Sequence, residues 1–319
     1  MPTTILVTGA ANGLGAAFVE SYRHQEQAQV FAIDREQISC VHENVRSWAV
    51  DVTDEASIDA FAQDIKEQPI DLVIHSAGIR GLVPHLEQEK RGDVDACETM
   101  EAMDFATLTR TFNINAAGTF MLFRAIMSNL LKAQAAKVIV MSSRMGSLGN
   151  NFPGNRSAGS AYAYRASKAA LNAIVRSFVV DVPEVTFVVC HPGRVETKLV
   201  KWKEEGAITA QESVEGLLPL IDRWGKEDSG KFYDRFEPRS TTINIIDDLP
   251  PMMVVGSPNP TFKSYILLHS NQVIKKVHWA RTSCTAPPHV KRILLRSGIL
   301  RQPQSGYRFR EEMVEIRPF

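Results

Sequence analysis

A tyrosine and a lysine four residues apart, Tyr164 and Lys168, are the side chains in this sequence best suited to acid–base chemistry. They lie in a segment whose pattern predicts a helix, and residues four apart on a helix project from the same face. A free phenol has a pKa of about 10, which a nearby ammonium would lower toward the working range. The spacing is also common by chance, and Tyr162 has Ala166 at the same offset. The pair predicts a phenol that exchanges protons beside an ammonium.

Two further polar side chains could complete such a site. Ser143 ends an apolar run that predicts a buried strand, where a hydroxyl can donate to a carbonyl oxygen or its alkoxide. Ser142 is the competing serine, and strand ends also attract serine as a cap. Asn115 lies in a long apolar helical segment, where an unpaired amide would be costly. Its amide could anchor a water that feeds protons toward Lys168, or it could make a structural hydrogen bond.

A glycine-rich loop follows the first predicted strand and opens the first predicted helix. Its candidate ligands are Gly9, Asn12, Gly13, Leu14 and Gly15. Glycine supplies the backbone angles of a tight turn, and missing side chains let backbone N–H groups approach a pyrophosphate at the positive end of the helix. The loop therefore predicts a dinucleotide site, with NAD(P) as the cofactor.

An acidic residue, Asp34, ends the second predicted strand nineteen residues after Gly15. A carboxylate there can accept hydrogen bonds from the adenosine ribose and would repel a 2′-phosphate, which favours NAD. A solvated aspartate at a strand end would give the same pattern. The neighbouring Arg35 could instead bind the phosphate of NADP, so NADP is not excluded.

Three other strand ends carry residues that could hold the rest of the dinucleotide. They are Asp51 and Val52 after the third strand, Ser76, Ala77 and Gly78 after the fourth, and Pro192, Gly193, Val195 and Thr197 after the sixth. Asp51 could accept from the adenine amino group, and Thr197 could hold the nicotinamide carboxamide. Strand-to-loop transitions favour the same residue types. His191 ends an apolar run, which favours a buried, hydrogen-bonded histidine over a catalytic one.

Short apolar runs alternate with amphipathic segments through about the first 235 residues. The predicted strands are Ile5–Thr8, Val30–Asp34, Ser47–Asp51, Leu72–Ala77, Val138–Ser142, Val185–His191 and Ser229–Asp234. The predicted helices are Leu14–His24, Glu55–Glu67, Phe105–Leu131, Tyr162–Val180 and Ala210–Trp224. Continuous apolar strands between helices indicate a parallel sheet covered on both faces. The predicted fold class is α/β, a doubly wound Rossmann-like sheet.

The pattern changes after Phe236. We therefore assign residues 1–236 to an NAD(P)-binding catalytic domain and residues 237–319 to an atypical, irregular C-terminal extension. The extension carries 12 Lys and Arg against 6 Asp and Glu and shows no clean helix or strand period. We hypothesise an aberrant or recently acquired segment that is poorly ordered, whose deletion leaves a folded core. A truncated chain that precipitates would contradict this, and a second subdomain over the site is the alternative.

Composition narrows the function classes. The formal net charge is zero, so no overall attraction to nucleic acid or to an anionic membrane is expected. The four cysteines are scattered without a CxxC pair, and no metal site is expected. The N-terminus has no basic region before a long apolar run, and the apolar segment 105–131 is interrupted by arginines and asparagines. We expect neither a signal peptide nor a membrane span, and a cytoplasmic location.

These motifs, in this order and spacing, resemble the short-chain dehydrogenase/reductase family over roughly residues 4–235. The loop Thr-Gly-xxx-Gly-x-Gly is similar to that of its single-domain branch. Ser-Ser-Arg-Met-Gly-Ser and His-Pro-Gly-Arg-Val-Glu-Thr look like the C-factor/sniffer-type carbonyl reductases. The resemblance implies a site made of Tyr164 as acid/base, Lys168 lowering its pKa and binding the ribose, Ser143 stabilising the oxyanion, and Asn115.

Two departures from the family pattern lie near this site. His75 and Ser76 stand where the family usually has two asparagines, so a hydrogen bond between two strands is lost or replaced. Ser143 and Tyr164 are 21 residues apart, which is longer than usual, and the excess predicts a loop over the substrate mouth.

The resemblance implies an oxidoreductase that moves a hydride between nicotinamide and a small-molecule carbonyl or secondary alcohol. A cofactor-binding regulatory or signalling protein with little turnover is the alternative, and a dehydratase or isomerase on the same scaffold is another. In the family, helices such as 105–131 and 161–180 pair between subunits. Those apolar helices could form a homo-oligomer here, or could belong to the core of one chain.

Overall fold

A computed structural model of the chain describes residues 3–38, 42–155, 158–200, 202 and 205–235, together with the backbone of five strands beyond residue 235. The strands are β1 (Thr3–Thr8), β2 (Ala28–Asp34), β3 (Val45–Ala49), β4 (Leu72–His75), β5 (Lys137–Met141), β6 (Thr186–His191), β7 (Lys231–Asp234), β8 (Thr241–Thr242), β9 (Ser264–Leu268), β10 (Ile274–His278), β11 (Lys291–Ser297) and β12 (Arg310–Ile316). The α-helices are α1 (Gly13–Arg23), α2 (Glu55–Asp64), α3 (Pro84–Glu89), α4 (Phe105–Phe112), α5 (Gly118–Lys132), α6 (Tyr162–Asp181) and α7 (Ala210–Arg223).

Strands β1 to β7 form one parallel sheet in the order β3-β2-β1-β4-β5-β6-β7, and β8 pairs antiparallel with β7 at its edge. The predicted doubly wound α/β fold is confirmed. From β1 the chain adds β2 and β3 toward one edge of the sheet, and from β4 it adds β5, β6 and β7 toward the other edge. The strand order therefore reverses between the neighbouring strands β1 and β4. In open parallel sheets of this kind, ligands bind outside the carboxyl ends of the strands at such a reversal.

The core lies on both faces of the sheet. Along β1, Leu6 packs in one apolar layer with α2, α5 and α6, while Ile5 and Val7 pack in the other with α1 and α7. Successive side chains of a strand point to opposite faces, so a strand covered on both sides must be apolar throughout. This explains the unbroken apolar runs that predicted the buried strands.

The long helix predicted at Phe105–Leu131 is interrupted. It consists of α4 and α5 joined by a π-helical turn at Asn113–Ala117. By length and composition the whole stretch, Phe105–Lys132, could cross a membrane, but half of its most apolar window is buried in the structure. Core helices of soluble proteins pass the same test, which agrees with the predicted buried helix.

Several element bounds differ from the predicted ones. Strand β3 begins and ends two residues earlier than predicted, and β4 ends at His75, so Asp51 and Ala77 lie in the loops that follow these strands. The short helix α3 was not predicted, because six residues are too few to establish an amphipathic period.

The chain divides into two compact units, Met1–Ile246 and Asp247–Phe319. Within the second unit, β9 to β12 form a four-stranded antiparallel sheet in the order β12-β11-β10-β9. No strands were predicted there from the sequence, and that expectation is wrong. Apart from these strands, residues 236–319 lie outside the described part of the chain. The predicted domain boundary at residue 236, and the predicted poor order and origin of the extension, therefore stay predictions.

Candidate functional site

A cleft of about 2190 Å³ lies along the carboxyl ends of the strands, where the sheet order reverses. Seventeen of the predicted site residues line it: Gly9, Asn12, Gly13, Leu14, Asp34, Asp51, Val52, Ser76, Ala77, Gly78, Ser143, Tyr164, Lys168, Pro192, Gly193, Val195 and Thr197. Gly15 and Asn115 do not line it and act on the cleft through their neighbours. The structure thus brings the glycine loop and the Tyr–Lys pair into one cavity.

The glycine loop has the backbone geometry that the sequence predicted. Gly9 and Gly13 adopt φ angles of +66° and +54°, in the left-handed region that favours glycine. A Cβ on Gly9 would lie 2.9 Å from the backbone N of Ala77, and one on Gly15 would lie 2.1 Å from the carbonyl O of Gly9. The backbones therefore approach too closely for any side chain, and Gly15 serves the packing of α1 against the loop.

The start of α1 faces this cleft with its backbone amides. Asn12 is the N-cap residue, and its side chain makes no capping hydrogen bond to the helix. Amides at a helix start attract anions, and the loop has no side chains to block the approach. These residues fit the pyrophosphate of a dinucleotide.

Where the loops after β2 and β3 line the cleft, two carboxylates accept backbone hydrogen bonds. Asp34 accepts from the backbone N of Ala11 at 3.0 Å through Oδ2 and from the N of Glu36 at 2.9 Å through Oδ1. Hydrogen bonds from the side chain and backbone of Thr53 lower the pKa of Asp51, and the positive charge of Arg35 adds to this effect. Asp34 is thus fixed where a ribose could reach it, and Arg35 lies close enough to influence the same end.

The Tyr–Lys pair lies on α6 below the mouth of the cleft. Tyr164 and Lys168 are both buried, and the Lys168 Nζ is 5.7 Å from the centre of the Tyr164 ring. The ammonium donates to the carbonyl O of Met141 at 2.9 Å. Burial lowers the pKa of Lys168 to about 8, so the lysine is still mostly charged at neutral pH. The structure thus places the amino group of Lys168 over the ring of Tyr164.

The two candidate serines after β5 have different partners. Ser142 donates its hydroxyl to Oδ1 of Asn172 at 2.7 Å. Ser143 accepts from the backbone N of Met145 at 3.1 Å, an arrangement that leaves its own proton for a ligand in the cleft. The contacts favour Ser143 over Ser142 as the hydroxyl that meets a substrate oxygen.

Asn115 sits in the π-helical turn and is fully buried. Its Oδ1 accepts from the backbone N of Ile79 at 2.8 Å, and its Nδ2 donates to the O of Ile79 at 2.8 Å and to Oγ of Ser167 at 2.9 Å. The side chain therefore ties the loop after β4 to α6. Of the two roles left open by the sequence, these contacts show the structural hydrogen bonds.

His75 replaces the lost inter-strand hydrogen bond. The Thr8 Oγ1 accepts from the backbone N atoms of Ser76 and Ala77 at 3.1 and 3.0 Å, so its proton is donated to the Nδ1 of His75, 3.0 Å away. The Nε2–H of His75 then donates to Oγ1 of Thr119 at 2.8 Å. Burial, and to a lesser extent the charge of Lys168, lowers the pKa of His75 to about 3. A neutral histidine thus joins β1, β4 and α5.

His191 ends β6 and is largely buried, as predicted. The hydrogen bond that was expected for the ring is not seen at its Nδ1 atom. Its Nδ1 has no hydrogen-bond partner among the residues that the structure describes. Burial lowers the pKa of His191 to about 4, so the ring is neutral at pH 7. Because it lines the cleft, it contributes an uncharged wall.

Two charged residues that the sequence analysis missed lie at the substrate end. Arg80 and Glu98 form an ion pair, and the Arg80 guanidinium lies over the ring of Tyr164. An arginine directly after Ala-Gly-Ile in the loop that follows the fourth strand was the available signal. Glu98 had none, because it follows a short turn, Asp95–Cys97, eighteen residues after Arg80, and no helix or strand period relates the two positions. No group of three or more His, Cys, Asp or Glu that could hold a metal occurs within the described ranges.

The comparisons with known proteins agree with this geometry. The family model for short chain dehydrogenase matches residues 3–207. The C-signal of Myxococcus xanthus is 38% identical over 177 residues, covering 55% of this chain and 94% of the relative. A 1-hydroxy-2-glutathionyl-2-methyl-3-butene dehydrogenase of Rhodococcus sp. strain AD45 is 30% identical over 239 residues, covering 72% and 95%.

A solved structure, the NADPH-bound carbonyl reductase from chicken fatty liver, superposes with a TM-score of 0.63 at 26% identity. It covers 76% of this chain and all of the reductase. The resemblance inferred from the motifs is confirmed by these matches, including its likeness to carbonyl reductases.

Proposed function

This chain belongs to the short-chain dehydrogenase family and is an NAD(P)-dependent oxidoreductase, and we propose that it interconverts a carbonyl compound and its secondary alcohol, with Tyr164 as the acid/base. The observation that carries this proposal is the single cleft lined by the glycine loop, Ser143, Tyr164 and Lys168. When bound, the nicotinamide would supply or accept the hydride. The remaining chemistry is proton transfer and oxyanion stabilisation, which side chains must provide.

The described residues can divide this chemistry among them. In the reductive direction Ser143 would donate a hydrogen bond to the substrate oxygen, and Tyr164 would transfer its phenol proton to that oxygen. The Lys168 ammonium, 5.7 Å from the ring, would stabilise the phenolate that remains. Asn115 would keep the loop after β4 in register with α6 through its three hydrogen bonds.

For the cofactor we propose a preference for NAD over NADP, which is supported by the Asp34 carboxylate at the end of β2. Titration with NADH and NADPH, followed by fluorescence, is expected to show the tighter binding for NADH. Asp34→Ala should narrow that difference, because it removes the group that repels a 2′-phosphate. Tighter NADPH binding by the wild-type protein would mean that Arg35 dominates, and binding of neither would contradict the oxidoreductase proposal.

A cofactor-binding signalling protein with little turnover is the second candidate, and the 38% identity to the C-signal favours it. Both candidates bind the dinucleotide, so binding does not distinguish them. Measurable carbonyl reduction across a panel of aldehydes and ketones would support the enzyme, whereas tight binding without turnover would support the second candidate.

We also propose a homo-oligomer in the cytoplasm. Large apolar side chains are exposed on α4, α5 and α6, and the most exposed are Phe105, at 82%, and Val180, at 68%. Covering such a face with a second copy would remove apolar surface from water. Sedimentation velocity is expected to give a mass above 35.5 kDa, and a monomer at all concentrations would contradict this. Cell fractionation tests the location.

A further inference from the structure

The Tyr164 ring is contacted by two cations from different parts of the fold. Lys168 lies one turn along α6, and its Nζ is 5.7 Å from the ring centre. The Cζ of Arg80, from the loop after β4, is 4.9 Å from the same centre. Guanidinium groups within about 6 Å of an aromatic ring are attracted to it. Arg80 is therefore the nearer of the two cations, although the chemistry described above does not use it.

Glu98 fixes the position of that guanidinium. Its two oxygens accept from Nε and Nη2 of Arg80 at 2.8 and 2.7 Å, which is a bidentate pair. The Glu98 side chain is only 3% exposed and that of Arg80 19%. A third contact, from Nη1 of Arg80 to the Sδ of Met145 at 3.2 Å, joins the turn after β5. Burying an ion pair carries a large desolvation cost, so its presence at the cleft calls for a function.

The backbone of Glu98 also holds the beginning of the helix that carries Tyr164. Its carbonyl O accepts from the backbone N of Ala161 and from Oγ of Ser160, both at 3.0 Å. Ser160 and Ala161 have φ angles of +48° and +50°, which residues other than glycine rarely adopt. Such backbone persists only where neighbours enforce it. Glu98 therefore sets both the guanidinium and the first turn of α6 against the same ring.

We propose that Arg80, held by Glu98, is a positioning residue for Tyr164, fixing the orientation of its ring and providing a second positive charge that stabilises its phenolate form. The inference rests on the proposed function for its biological meaning, but the interaction itself does not require turnover. Among the residues that the structure describes, Lys168 and Arg80 lie over the Tyr164 ring, Glu98 pairs with Arg80, and Arg165 interacts electrostatically with both Arg80 and Glu98. Glu98 is the only acid among these four, and it partly offsets the charge of Arg80.

Replacing Arg80 and replacing Glu98 should shift the pKa of the Tyr164 phenol in opposite directions. Arg80→Gln removes a cation and should raise the pKa of the Tyr164 phenol by about one pH unit, an estimate for charges several ångströms apart in a partly buried site. Glu98→Gln removes the negative charge that partly offsets Arg80 and should lower the pKa of the Tyr164 phenol. Arg80→Lys keeps the charge and should give a value close to that of the wild type. A merely structural role would not produce shifts of opposite sign.

The test is a titration of tyrosinate absorbance in the full-length protein without substrate or cofactor. Each variant is measured beside the same variant carrying Tyr164→Phe, so the difference isolates Tyr164. Arg124→Gln is the matched control, because Arg124 also pairs with a glutamate, Glu55, and lies over a ring, Phe120, but outside the cleft. Circular dichroism checks that each variant is folded.

Opposite shifts for Arg80→Gln and Glu98→Gln, with no shift for Arg124→Gln, would support the proposal. Shifts of the same sign, or none, would overturn it. If Arg80→Gln does not fold, the other two variants still test the proposal. A raised pKa of the Tyr164 phenol in Arg80→Lys, or an unchanged pKa of that phenol in Glu98→Gln, would overturn the proposal. The titration needs no turnover, so it can fail while the proposed function holds. The proposed function is tested separately, by cofactor binding and by activity.

Discussion

Replacing Tyr164 with phenylalanine is expected to lower kcat by about a thousandfold, since general acid catalysis contributes roughly two to four orders of magnitude. The phenylalanine ring should keep the same place, because Arg80 and Lys168 both lie over the aromatic ring, which the substitution retains. The Kd for NADH should therefore change little. Steady-state kinetics with a carbonyl substrate, together with cofactor titration of the same preparation, would measure both effects.

Tyr162 provides a matched control for this experiment. It is on the same helix two residues earlier, is 45% exposed, and does not line the cleft. Tyr162→Phe removes the same atom from α6 and should leave kcat unchanged. If Tyr164→Phe kept most of the activity, or if both variants lost it equally, the assignment of Tyr164 as acid/base would be wrong.

Acidification from pH 7 to pH 5 is expected to cost the protein about 2 kcal/mol of unfolding free energy through His75 alone. In the folded chain burial lowers the pKa of His75 to about 3, whereas an unfolded histidine has a pKa of about 6.5. Between these values the unfolded state binds more protons, so stability is full above about pH 6.5 and falls as the pH decreases toward 3. The neutral ring is required because Nδ1 accepts the proton of Thr8.

Denaturant unfolding at several pH values would isolate this contribution. His75→Asn introduces the residue that the family usually has, which does not titrate, so the variant should lose less stability than the wild type over the same range. His85→Asn is the control: His85 is an exposed histidine on α3, and its replacement should leave the pH dependence as it is in the wild type. Parallel pH curves for wild type and His75→Asn would contradict the predicted linkage.

Features that are local or periodic could be predicted from the amino-acid sequence alone. Unbroken apolar runs predicted the parallel strands, because a strand covered on both faces must be apolar on both. The loop around Gly9 and Gly13 was predicted because those backbone angles require glycine, and Tyr164 and Lys168 were paired because a helix brings every fourth residue to the same face. The strands β9 to β12 were missed, since their segments show no clear alternation of apolar and polar residues.

Contacts between residues far apart in the sequence became visible only in the folded chain. His75 could be recognised as a departure from a family pattern, but its partners Thr8 and Thr119 are 67 and 44 residues away. Arg80 and Glu98 each look like an ordinary surface charge in the sequence, and only the fold shows that they are buried together beside Tyr164. The physical reason is that periodicity reports the geometry of one helix or strand, whereas a site is made where the ends of several strands converge, and that convergence leaves no regular spacing along the chain.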